Sequence, residues 1–222
     1  MTVLLFDIDG TLVRTNGAGK AAMEGALRDA FGVENILDVV PYSGRTDPAI
    51  GHDLLRVHGL PVTPENLQRL TSEYLQRLPA ALDQFGGIVL PGVRELIGEL
   101  RRRDDVRLGL LTGNVIAGAT IKLSFFGLWS SFGFGGFGDG RVHRDDVARE
   151  ALIQAKQRGP VALDRCWVIG DSPHDVSCTR SIGAKALAVA TGWHSLDDLA
   201  KCDPDHAIPN LSDTDALLKL MV

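Results

Sequence analysis

The sequence predicts an α/β protein: a doubly wound parallel sheet with a small all-helical insertion after its first strand. Three observations predict it. Short, largely apolar runs, Val3–Phe6, Val106–Leu111, Cys166–Ile169 and Ala186–Ala190, read as strands buried on both faces. Helical patterns separate most of these runs, and alternation of strand with helix indicates parallel pairing. From about Asn16 to Gln84 the helical pattern continues without a strand, unlike the sequence on either side. The expected organisation is a core of residues 1–15 plus 86–222 and a helical cap of residues 16–85, joined by two connectors.

Taken in order, Val3–Phe6 is followed at once by Asp7, Asp9, Gly10 and Thr11. A helix is predicted from Gly17 to Phe31, with Ala18, Ala22, Ala26, Leu27 and Ala30 on one face and Gly32 as its cap. The turn-rich stretch Pro41–Pro48 leads to a helix over Ala49–Val57. Another opens at Thr63 or Pro64, with Leu67, Leu70, Tyr74, Leu75 and Leu78 inward. Pro91-Gly92 precedes a helix from Val93 to Arg103. Strand Val106–Leu111 ends at Thr112-Gly113-Asn114, before a helix over Ala117–Phe126. Phe132–Gly138 reads as a short strand. Arg144–Arg158 reads as a helix whose first turn carries Asp145 and Asp146, favourable at the positive end of the helix dipole. Cys166–Ile169 ends at Gly170-Asp171-Ser172, Ala186–Ala190 ends at Thr191-Gly192, and Ala207-Ile208 precedes a last helix over Thr214–Met221.

Bulk properties narrow the function. The 222 residues suffice for one large domain or a domain with an insert. A net charge of −5 and the absence of a basic block argue against nucleic acid and anionic membrane as partners. Arg101-Arg102-Arg103 runs directly into Asp104-Asp105 and reads as a solvated helix end. No apolar run approaches the roughly 20 residues of a membrane helix. Cys166, Cys178 and Cys202 are odd in number and lack metal-type spacing, which fits reduced thiols and a cytoplasmic protein. The histidines lack zinc spacing. The G-x-G-x-x-G within Phe132–Gly138 is followed by Asp139-Gly140 rather than a helix, so dinucleotide binding is disfavoured. Trp129, Trp167 and Trp193 read as packing residues.

The chemistry gathers at predicted strand ends, where open parallel sheets bind ligands. In extended chain, residues i and i+2 face one side, so Asp7 and Asp9 address one small volume. A second strand delivers Thr112 and Asn114; a third delivers Asp171, with Asp175 one helical turn further. Clustered carboxylates repel one another unless a cation or protons compensate them. Their hard oxygens suit Mg²⁺ with positions open for water and a phosphate oxygen. One aspartate could then attack phosphorus while another moves the proton. A threonine hydroxyl and loop N–H groups, from Gly10, Thr11, Gly113 and Asn114, would hold the phosphoryl oxygens. One cationic side chain is still required.

Over essentially its whole length the chain resembles the haloacid dehalogenase superfamily of phosphohydrolases, in the phosphoglycolate-phosphatase-like branch with a helical cap. Asp7 to Thr11 matches its Asp-x-Asp-Gly-Thr motif, Thr112 its second motif, and Gly170, Asp171 and Asp175 its Gly-Asp-x-x-x-Asp motif. The resemblance implies Asp7 as nucleophile, Asp9 as acid/base, and Asp171 as main metal ligand. Asp7 and the Asp9 backbone carbonyl complete the protein's share, with Asp175 and Ser172 in support. The Lys-Pro of most relatives is replaced here by Arg141-Val142-His143-Arg144-Asp145. Arg144 is chosen as the cation, ahead of Arg141 and Lys122. Gly44-Arg45-Thr46-Asp47 resembles the family's substrate-specificity loop, where Arg45 would bind an anionic group of the substrate.

The expected function is Mg²⁺-dependent hydrolysis of a small phosphate monoester through an aspartyl-phosphate, in a monomer or homodimer. The alternatives are a phosphomutase of the same superfamily and a non-catalytic binding protein on this fold. Asp9 disfavours a dehalogenase.

Overall fold

The fold is described from a computed structural model covering residues 1–222. Its centre is β1 (Thr2–Phe6), a strand with every residue buried. The strands β4 (Val106–Leu111), β5 (Phe134–Gly136), β6 (Cys166–Gly170), β7 (Lys185–Val189) and β8 (His206–Ile208) join it in one parallel sheet of order β5-β4-β1-β6-β7-β8. The chain leaves β1 toward β4 and β5, then returns to the other side of β1 with β6. Strand order therefore reverses beside β1, and a crevice opens beyond the strand ends at such a point.

Side-chain alternation splits the core into two faces. Leu4 and Phe6 of β1, Leu108 and Leu110 of β4, and Trp167 and Ile169 of β6 pack with α4 (Val93–Leu100), α5 (Ile116–Phe125) and α9 (Thr214–Met221). Val3, Leu5, Leu111, Cys166 and Val168 face the other way, onto α6 (Arg144–Gln157) and α7 (Pro173–Ile182). Burial on both sides explains why these strands read as continuous apolar runs rather than alternating ones.

Between β1 and β4 lie α1 (Ala18–Phe31), α2 (Asp47–Val57) and α3 (Pro64–Phe85). They enclose a separate cluster that includes Ala22, Leu27, Leu54, Leu70, Tyr74 and Leu78 and meets α5 through Val115. Gly32 closes α1 in the left-handed conformation the sequence predicts. Pro79 lies inside α3. It has no N–H to donate, yet the helix continues, with Leu78, Ala81 and Leu82 buried on either side of it. The two connectors pair with each other: β2 (Val13–Arg14) runs antiparallel to β3 (Ile88–Val89).

Some elements depart from expectation by one to three residues, α4 ending at Leu100 rather than Arg103, and α8 (Leu196–Ala200) and the β2–β3 ladder were not expected. Trp193 contradicts its reading as a packing residue: it is 89% exposed, whereas Trp167 is buried in the sheet. No helix is long and apolar enough to cross a membrane.

Candidate active site

Three neighbouring strands deliver the site. β1 ends one residue before Asp7, whose N–H bonds Ile169 O of β6 at 2.9 Å. β4 ends at Leu111, immediately before Thr112, and β6 ends at Gly170, immediately before Asp171. Asp7, Asp171 and Asp175 are buried, and each places a carboxylate oxygen within 4.8 Å of the others.

Asp175 is held from several directions. Ser172 caps α7 and donates both its N–H, at 3.0 Å, and its hydroxyl, at 2.6 Å, to Asp175 Oδ2. The reciprocal bond from Asp175 N–H to Ser172 completes a capping box. Arg144 Nη2 reaches Asp175 Oδ1 at 2.5 Å, Asp7 Oδ1 at 2.9 Å and Leu111 O at 3.2 Å. Arg144 is therefore the cation beside Asp7, while Arg141 pairs with Glu150. With both its oxygens engaged, Asp175 supports the site, leaving Asp7 and Asp171 as the freer acceptors.

Asp171 accepts a 3.1 Å bond from Thr11 on Oδ1. Gly10 lies against it with φ +85°, and a Cβ there would collide with the Asp171 carboxylate. Thr191 fixes the same turn, donating to Gly10 O at 2.6 Å. No sequence motif had singled out Thr191.

Burial pushes Asp7 up to about 6, against the lowering effect of Arg144. Burial and the neighbouring Asp175 and Asp7 hold Asp171 well above the ordinary carboxylate range. Hard oxygens gathered this closely suit a small divalent cation, and without one the cluster retains protons. The donor set thus fits the metal that the sequence implies.

Asp9 has different company. Lys122 Nζ donates to its Oδ2 at 2.6 Å, and Asn114 Nδ2 donates to the same oxygen at 2.9 Å. Asn114 also donates to Thr112 Oγ1 at 2.9 Å and accepts from Lys122 at 2.6 Å. Asn114, expected at the substrate, is thus engaged in this network. Burial alone would lower Lys122, but Asp9 and Asp47 outweigh it and raise its pKa.

The loop from Gly44 to Asp47 sits on the strand ends. Asp47 N–H bonds Gly113 O at 2.8 Å, Asp47 Oδ2 accepts from Val115 N–H at 2.9 Å, and Thr46 donates to Val142 O at 3.1 Å. Gly113 is needed for this approach, because a Cβ there would strike Arg45 O. The Arg45 side chain is engaged within the helical unit. It pairs with Asp53 of α2 at 2.7 Å, with longer bonds to Pro41 O and Ala49 O.

A family model described as haloacid dehalogenase-like hydrolase matches residues 4–180 of this chain. Across 98% of its length the chain is 30% identical to "Probable phosphatase IndB" of Dickeya dadantii (strain 3937), covering 95% of that protein. It is 28% identical to a protein named phosphoglycolate phosphatase of Synechococcus elongatus, over 96% of this chain and 95% of the other. Among solved structures, a hydrolase from Pseudomonas syringae superposes over the full length of both chains, with a TM-score of 0.76 and 25% identity.

Proposed function

The chain belongs to the haloacid dehalogenase-like hydrolases, and on that premise we propose that it is a Mg²⁺-dependent phosphatase acting on a small phosphate monoester. The observation that carries this reading is the division of surroundings between two aspartates one residue apart. Asp7 is buried beside Arg144 and Asp171, as suits a nucleophile. Asp9 is 41% exposed and keeps one carboxylate oxygen free of protein donors, as suits proton transfer.

In the first step Asp7 attacks phosphorus and the bond to the ester oxygen breaks. Asp9 gives its proton to the departing oxygen. In the second step Asp9 takes a proton from water, whose oxygen attacks the aspartyl-phosphate and releases inorganic phosphate and Asp7. Thr112 and the N–H groups of the Gly10–Thr11 and Gly113–Asn114 turns would hold the phosphoryl oxygens, and Arg144 balances charge beside the nucleophile. Asp7, Asp171 and the Asp9 carbonyl would hold Mg²⁺, which when bound offsets the carboxylate charge and polarises the phosphoryl group.

The name of one relative, phosphoglycolate phosphatase, supports a small substrate of that type. The test is a Mg²⁺-supplemented panel of sugar phosphates, phosphoglycolate, nucleotides and phosphoamino acids. Turnover of at least one ester, abolished by Asp7→Asn, is expected. No turnover across the panel would favour a binding protein on this fold, and Mg²⁺-dependent turnover surviving Asp7→Asn would overturn the mechanism.

A further inference from the structure

Two cations reach the aspartates beyond β1, and they do not share a target. Arg144 bonds Asp7 and Asp175, whereas Lys122 bonds Asp9 and Asn114. Asn114 Nδ2 closes a ring by donating to the same Asp9 oxygen. Both donors converge on Oδ2, and no protein donor engages Oδ1.

Lys122 offsets the charge of the buried Asp47, but Asp9 itself does not need it. The Lys122 side chain is 5% exposed and the Asp9 side chain 41%. A carboxylate so open to water needs no ammonium to satisfy it. An ammonium withdrawn from water is a cost that an apolar side chain of similar length would avoid. What the ring does supply is orientation. Two donors from separate positions fix one oxygen, so the other cannot rotate away.

We propose that Lys122, acting with Asn114, is a positioning residue that clamps Oδ2 of Asp9 and thereby presents Oδ1 as the atom exchanging the proton. The inference rests on the phosphatase reading above and gives Lys122 a task separate from that of Arg144. The ring also lies under the helical unit: Gly19 of α1 faces Lys122, and a Cβ at Gly19 would stand 3.4 Å from Nζ. Seating α1 over the lysine keeps water from replacing it as the donor to Asp9.

A clamp acting through the proton-transfer group should matter in proportion to how much the leaving oxygen needs a proton. Steady-state kinetics of Lys122→Met, Lys122→Gln and Lys122→Arg would be compared on p-nitrophenyl phosphate and on an alkyl ester, glycerol 2-phosphate. The phenolate departs with little protonation; the alkoxide does not. Lys122→Met should lower kcat on the alkyl ester about tenfold more than on the aryl ester, within the range general-acid catalysis supplies. KM should change little, and Lys122→Arg should recover part of the alkyl rate. In an Asp9→Asn background Lys122→Met should add no further loss, since the group it orients is already gone. Lys122→Gln carries the same comparison if the methionine variant does not fold, as judged by its thermal unfolding. Equal losses on both esters, full multiplication with Asp9→Asn, or no loss at all would overturn the clamp. Each of those leaves the phosphatase reading standing, provided Asp7→Asn is inactive. A wild-type protein that hydrolyses neither these esters nor the wider panel would refute that reading and the clamp with it.

Discussion

At the scale of single residues, Arg144 and Gly10 bear the most. One nitrogen of Arg144 serves Asp7, Asp175 and a backbone carbonyl in a region shut off from water. Arg144→Ala strands two buried carboxylates, so a loss of about 3–5 kcal/mol in urea unfolding is expected, together with loss of turnover. A variant as stable as the wild type would show that the guanidinium makes no net contribution to folding. Gly10→Ala should leave the sheet intact and weaken metal binding, read by titration calorimetry with Mg²⁺, because its Cβ would press on the Asp171 carboxylate. Asp7, Asp9, Thr112 and Asp171 were legible in the sequence because strand ends are legible, and a strand end fixes where its next residue lies. Arg144 and Lys122 could not be told apart that way. Both ride on helices, and which carboxylate a long side chain reaches depends on how its helix is tilted against the sheet, which periodicity does not encode.

At the scale of elements, the Gly44–Asp47 loop joins the helical unit to the β4 turn by backbone geometry more than by charge. Asp47 both opens α2 and receives Val115 N–H, and burial raises its pKa to about 6. Asp47→Ala should cost about 1 kcal/mol for the orphaned N–H and raise KM, since the loop would no longer be fixed over the site. Unfolding curves and initial-rate kinetics check the two effects, and an unchanged KM would show that the loop docks without this bond. The sequence marked the loop by its turn residues but did not show the ion pair its arginine makes. Arg45 has an acidic partner about two turns along the chain in Asp53, and a pairing between a loop and the next helix leaves no periodic trace in the sequence.

At the scale of the whole molecule, the carboxylate cluster should set how stability responds to pH and metal. The folded state binds protons at Asp7 and Asp171 more tightly than the unfolded chain does. The stability from Asp7 is therefore full below its ordinary value of 3.8 and is lost as pH rises through about 6. In a chelator, Tm should fall as pH is raised across that window. Mg²⁺ should restore it most at the alkaline end, by about 2.7 kcal/mol at a hundred times Kd. Scanning fluorimetry with and without Mg²⁺ measures both, and a metal effect independent of pH would place the ion away from these carboxylates. The sheet itself was readable because doubly buried strands leave long apolar runs, and the helical stretch was readable by contrast with them. The β2–β3 ladder was not, because two residues per strand carry no periodicity.

The exposed indole of Trp193 has an optical consequence. It lies two residues beyond Thr191, whose hydroxyl holds the Gly10 turn against Asp171. Trp167 is sealed in the sheet and Trp129 is half-buried, so the solvent-relaxed, readily quenched share of the protein's ultraviolet emission originates at Trp193. A movement of that turn when ligand arrives would register as a change in quenching, giving a spectroscopic readout of the site without an added dye.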